Sequence, residues 1–165
     1  MRGLLTIADP ADAPAIAALQ NAVAALLTHR FGTGPWSSVA TEKGVRASMK
    51  RAAVFVVRDG DAIAATLTLA TRKPWSIDRG YFTPVARPLY LIGMAVDPAQ
   101  QRRGIGRASV EEAIDLSRDW PADAICLDAY DTDAGAGDFY RKCGFTEMGR
   151  ADYRGTPLIY FERLV

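Results

Sequence analysis

The segment Gln101-Arg102-Arg103-Gly104-Ile105-Gly106-Arg107 separates an apolar run from a helical pattern, the layout of a phosphate-binding turn. Before it, Leu89, Tyr90, Leu91, Ile92, Gly93, Met94, Ala95 and Val96 read as a strand that Asp97-Pro98 ends. After it, Val110, Ala113 and Ile114 recur at helical spacing. Gly104 and Gly106 let the backbone approach a ligand closely, and the helix start adds positive potential. A diphosphate fits such a turn, and Gln101, Arg102, Arg103 and Arg107 surround it with donors.

Spacing separates three kinds of glycine-rich phosphate loop. A P-loop ends in Gly-Lys-Ser or Gly-Lys-Thr, but Gly106 is followed by Arg107 and Ala108. A dinucleotide fingerprint starts directly after the strand and places a third glycine where Ser109 stands. What remains, Val96 and Pro98 followed by Gln101, Gly104 and Gly106, resembles the acetyl-CoA-binding signature of the GNAT acetyltransferase superfamily. A second stretch in the expected order, Ala136, Phe139, Tyr140, Gly144 and Phe145, is similar to that family's last helix and its exit into a strand. The resemblance covers residues 89–145; the first half of the chain matches only in the order of its elements. Asp133 departs from the family pattern, where an asparagine commonly helps to hold the cofactor. Gly135 and Gly137 weaken the start of the last helix by about 1 kcal/mol each relative to alanine.

The resemblance implies an α/β fold: one mixed, twisted sheet of about seven strands flanked by about four helices, with two central strands splayed to hold acetyl-CoA. It implies an N-acetyltransferase that moves an acetyl group from acetyl-CoA to a primary amine by direct transfer in a ternary complex. A non-catalytic acyl-CoA sensor of the same fold is the rival reading. By the family pattern the Met94 N–H faces the thioester carbonyl, Ala95 and Val96 pair with the pantetheine arm, and the turn 101–107, Ile105 included, takes the diphosphate. Tyr140 is then the proton donor to the departing sulfur, or a packed aromatic with a solvated hydroxyl. The acceptor pocket of relatives is built from the first two helices and the loop before the cofactor strand, which here supply Phe31, Trp36, Trp75, Tyr81 and Phe82.

At 165 residues the chain suits one domain, 1–165. A net charge of +1 with 24% charged residues gives no basic field for nucleic acid. Cys126 and Cys143 are the only cysteines, which suggests a reducing compartment, and no metal-ligand spacing is present. The opening residues meet Asp9-Pro10 too soon for a signal peptide, and no apolar run is read as approaching a membrane span. These readings place the protein in the cytoplasm with a small-molecule amine as acceptor, and leave a homodimer open.

Along the chain, a strand over 4–8 precedes a helix capped by Asp9 or Asp12, with Ile16, Leu19, Val23, Leu26 and Leu27 as its stripe. A polar helix over 38–51 follows, then strands 53–58 and 63–70 around the Asp59-Gly60 turn. Pro74, Pro84 and Pro88 break residues 71–88 into a loop that is either functional or without fixed structure. Helix 104–119, strand 124–130, helix 133–143 and strands 145–150 and 157–163 complete the order. The general base is not legible: Glu42, Asp78, Asp128 and Asp131 all lie where they could face a cleft, but each reads more readily as an ordinary solvated acid. His29 reads as a helix cap and Cys143 as packing.

Overall fold

The computed structural model describes residues 3–165. Strand β1 (Leu5–Ile7) leads into a short turn, Pro10–Asp12, capped by Asp9, whose carboxylate accepts the Ala11 N–H. Helix α1 (Ala13–Phe31) follows and stops where Gly32 takes φ 81°. Helix α2 (Glu42–Arg51) begins four residues later than its pattern suggested, because the Thr41 hydroxyl accepts the Gly44 N–H and fixes the start. Strands β2 (Ala53–Asp59) and β3 (Ala62–Ala70) form the hairpin, with Gly60 at φ 59° in its turn. Then come β4 (Pro88–Val96), α3 (Ile105–Asp119), β5 (Ala124–Tyr130), α4 (Gly137–Lys142), β6 (Thr146–Tyr153) and β7 (Thr156–Leu164).

The seven strands form one sheet in the order β1-β2-β3-β4-β5-β7-β6, antiparallel except for β4 and β5. Helices α1 and α2 cover one face, where Ala13, Ile16, Leu19 and Val45 pack on Val54, Val56 and Ile63. Helices α3 and α4 cover the other, where Val110, Ala113, Ile114 and Tyr140 meet Leu67, Leu69, Leu127 and Phe161. Period-two alternation explains the division: Phe55 and Val57 face α3, Val54 and Val56 face α1. Pro10–Phe31 is in fact long and apolar enough to cross a membrane by length and composition, contrary to the reading of the sequence. Its N-terminal half is a core helix instead, with Ala13, Ile16, Ala17 and Leu19 buried against the sheet.

Two departures from the sequence pattern shape the cleft. Helix α4 starts at Gly137, four residues after the expected 133, because the preceding loop folds so tightly that a Cβ on Gly135 would lie 1.8 Å from the Tyr130 carbonyl oxygen. The segment 71–87 is an ordered strap. The Tyr160 hydroxyl donates to the Ser76 carbonyl and accepts the Asp78 N–H, and buried Glu162 accepts the Thr83 N–H at 3.0 Å and hydroxyl at 2.6 Å. Ile77 and Phe82 close a small core beneath it with Tyr90, Cys126 and Tyr160.

Strand β4 carries a bulge. Thr66 pairs with Ala95 but Thr68 with Ile92, so Gly93 and Met94 together oppose Leu67. Gly93 sits at φ 62°, and the extra residue reverses the alternation, turning Met94 and Val96 toward α3 and Ala95 toward α1. A Cβ at Gly93 would meet only the Gln20 amide at 3.8 Å, so the backbone conformation, not space, is what requires glycine. Gly93→Ala is therefore expected to lower the unfolding free energy by about 1–2 kcal/mol, read from the denaturant midpoint at unchanged slope.

Candidate active site

Strands β4 and β5 pair only through Pro88–Ala124, Leu89–Ile125 and Tyr90–Cys126. Beyond that point residues 91–96 and 127–130 part company, and the bulge bends β4 further away. The gap passes between the two faces of the sheet. A cavity of about 330 Å³ occupies it, lined by Leu91, Met94, Ala129 and Tyr140 and, from the strap side, by Ile77 and Asp128.

On the α3 face, the turn 101–107 caps a 15-residue helix with no side chain interposed. Arg102 at φ 63° and Gly104 at φ 81° both take left-handed conformations, and a Cβ on Gly104 would meet nothing within 4 Å. A Cβ on Gly106 would lie 3.4 Å from Val96 and 3.5 Å from Phe139, at ordinary contact distance, which places the start of α3 close to β4 and α4. The first N–H groups of α3 thus face open space beside exposed Arg102 and Arg103, a cradle fitted to a diphosphate. The Gln101 amide donates to the Val96 carbonyl at 3.2 Å and ties the turn to the strand, while Arg107 pairs with Glu111 at 3.0 Å on the solvent side. Ile105 packs into the core.

Tyr140 and Asp128 reach the cavity from opposite sides. Tyr140 projects from α4 on the α3 face and packs between Phe139, Phe145 and Phe161. Burial drives its phenol well above the ordinary value, with the nearby Cys143 and Asp128 adding to the effect, so it keeps its proton throughout the neutral range. Asp128 follows Cys126 and precedes Tyr130 on the strap face of β5. Its carboxylate accepts a hydrogen bond from the Ser76 hydroxyl. Burial raises its pKa and the Ser76 bond only partly offsets this. Burial likewise pushes the Cys126 thiol up to about 11 and raises Cys143, leaving both as thiols unsuited to nucleophilic attack.

Next to this cavity, and sharing Leu27, Gly93, Met94 and Tyr130 with it, lies a second of about 360 Å³ between α1, the turn Pro35–Ser37 and the bulge. Trp36 lines it and meets Tyr130 edge to face at 5.7 Å. Of the five aromatics assigned to the acceptor pocket, Trp36 alone lines either cavity. Phe82 is buried under the strap, Tyr81 packs on Tyr160 and Gly149, Phe31 ends α1 in solvent, and Trp75 is 81% exposed. Asp133 also lies elsewhere, in an outer polar cavity with Asp138, Arg141 and Arg150.

The model of the acetyltransferase (GNAT) family matches residues 21–145. The chain belongs to this family. GNAT enzymes use acetyl-CoA, and the turn and gap described above fit that cofactor. No curated protein matches the chain in sequence. Among solved structures, ribosomal-protein-S18-alanine N-acetyltransferase from Escherichia coli is similar at 21% identity, with 97% of this chain and 92% of that one covered and a TM-score of 0.69. Ribosomal-protein-alanine N-acetyltransferase from Brucella melitensis is similar at 16% identity, covering 99% and 100%, with a TM-score of 0.73. The structure of yncA from Salmonella typhimurium with its cofactor acetyl-CoA is similar at 18% identity, covering 97% and 92%, at 0.70. At these identities the likeness is one of fold: the mixed, seven-stranded GNAT sheet with its four helices.

Within this GNAT site, Asp128 is the residue that the sequence reading passed over as a solvated acid. A lone carboxylate inside the apolar run Ala124-Ile125-Cys126-Leu127-Asp128-Ala129 was the available signal, since a buried acid needs a reason to be there. The Ser76 bond favours its charged form, so Ser76→Ala is expected to move the Asp128 titration to higher pH still. Carboxyl-¹³C chemical shifts of labelled aspartate, assigned with Asp128→Asn, measure that midpoint without any acceptor. An unchanged midpoint would show that Ser76 does not act on the carboxylate.

Proposed function

We propose that this GNAT protein is an N-acetyltransferase that moves the acetyl group of acetyl-CoA to the primary amine of a small molecule, by direct transfer in a ternary complex. The observation that carries the reading is that Asp128 and Tyr140 line one cavity from the two faces of a parted sheet. Acetyl-CoA supplies an activated thioester. The cradle at 101–107 holds its diphosphate on the α3 face, with Arg102 and Arg103 closing over the anion. The backbone edge of Met94, Ala95 and Val96 that faces away from β3, where β5 has parted from β4, receives the pantetheine arm, with the Met94 N–H toward the thioester carbonyl. The amine enters from the strap face.

Asp128 accepts a proton from the incoming ammonium and frees the nitrogen lone pair. The carbon–nitrogen bond forms as the carbon–sulfur bond breaks. Tyr140 gives its proton to the sulfur and regains one from the new amide nitrogen, and Asp128 later returns its proton to water. Buried Cys126 and half-buried Cys143, both thiols of raised pKa, offer no competing acyl-enzyme route, which supports direct transfer. Free cysteines accord with a cytoplasmic setting.

The test couples calorimetry with acetyl-CoA, CoA and 3′-dephospho-CoA to thiol release against a panel of amines. Asp128→Asn is expected to bind acetyl-CoA as the wild type does and to lose about 10²–10⁴-fold in kcat. Tyr140→Phe is expected to lower kcat with binding intact. The acid limb of kcat/KM should lie above the ordinary carboxylate value near 3.8, because the base works only when ionised and burial raises its pKa. Full turnover by Asp128→Asn would remove the base from the scheme, and tight binding without turnover of any amine would favour the sensor.

A further inference from the structure

Across both cavities on the acceptor side, Asp128 is the one charged side chain among the described residues. The other polar groups of the inner cavity are Ser76, Tyr130 and Tyr140, and those of the outer one are Gln20, Ser38 and Tyr130, besides the Trp36 indole. No lysine, arginine or histidine lines either. The ammonium of Lys73, on the strap nearby, is held by the carbonyls of Pro74 at 3.1 Å and Ile77 at 2.7 Å. The indole N–H of Trp36 is likewise occupied, donating to the Gly32 carbonyl at 2.9 Å, so its ring presents apolar surface.

The outer cavity is walled by Val23, Leu27, Pro35, Trp36 and Val39. Val39 is 80% exposed, an apolar rim that nothing in the chain covers. Leu27, Gly93, Met94 and Tyr130 line both, so the two spaces adjoin, with the half-buried carboxylate in one and an apolar vestibule of about 360 Å³ as the other. Charge complementarity fixes which end of a ligand goes where. An ammonium pairs with Asp128, and an uncharged flank lies along Trp36 and Val39. A carboxylate one bond from the amine carbon would be drawn in beside Asp128 with no cation to pair it, which is a repulsive, desolvated contact.

Resting on the acetyltransferase reading, we infer that the acceptor is a monoamine with an apolar, ring-sized flank, and that the cleft rejects free amino acids. The substrate class is therefore an aralkyl or alkyl amine in which the group beside the amine carries no negative charge.

Three matched probes test this with acetyl-CoA and a thiol-release readout: 2-phenylethylamine, phenylalanine and phenylalanine methyl ester. The amine and the ester are expected to exceed phenylalanine in kcat/KM by at least about 100-fold. Trp36→Ala is expected to raise KM for 2-phenylethylamine by at least about 10-fold more than for methylamine. If phenylalanine is acetylated as well as 2-phenylethylamine, or if other amines are acetylated and none of these probes is, the inference falls while the acetyltransferase reading stands. If acetyl-CoA binds and no amine of any kind is acetylated, it is the acetyltransferase reading that falls.

Discussion

Everything in this molecule turns on a parallel strand pair that stops pairing halfway. Three register pairs join β4 to β5, and beyond Tyr90 and Cys126 each strand exposes backbone donors and acceptors to the gap. Buried backbone groups of this kind demand partners, so the parted strands form an unfinished ladder that a ligand with its own amide groups can complete. The bulge at Gly93 serves the same end. It bends β4 outward and turns Met94 and Val96 to the face where α3 begins, so that one glycine governs both the width of the gap and what lines it.

A gap through a sheet also gives the chemistry two sides. Tyr140 stands among aromatics on the α4 face, whereas Asp128 stands on the strap face beneath Ser76. In the proposed reaction the ammonium proton is thereby taken on the strap face and the sulfur is protonated from the α4 face, with the Asp128 charge still near enough to raise the Tyr140 pKa. Burial works in the same direction on both, favouring the protonated form, but with different consequences: it keeps the phenol a proton source and brings the carboxyl nearer to an amine in basicity.

The sequence carried the turn at 101–107 and the strand before it in plain view. Gly104 and Gly106 mark a backbone that approaches a ligand, and the run before them is a strand by its apolar continuity. The acceptor side was obscured because its order is made by distant partners. Ser76 and Thr83 are tied to Tyr160 and Glu162, about 80 residues away along the chain, and no local pattern in a proline-broken segment announces that. The aromatics misled for a related reason. Phe82 fills the interior between strap and sheet and exposed Tyr81 packs on Tyr160, roles that composition cannot distinguish from lining a pocket. Asp128 was visible in kind, a charge within an apolar strand, but its meaning came only from the strap that covers it.

The scarcity of hydrogen bonds between β4 and β5 has a bearing on the lifetime of the protein as well as on its chemistry. The sheet consists of two antiparallel blocks, β1 to β4 and β5 to β7, joined by three residue pairs along their border, by the packing of α3 and by the strap's hydrogen bonds to β7. A ligand that spans the border acts as a clasp on the folded chain, and at a concentration of 100 times its Kd it adds about 2.7 kcal/mol by mass action. A ligand bridging that border must be released before the two blocks can part, so its occupancy opposes any opening that begins there.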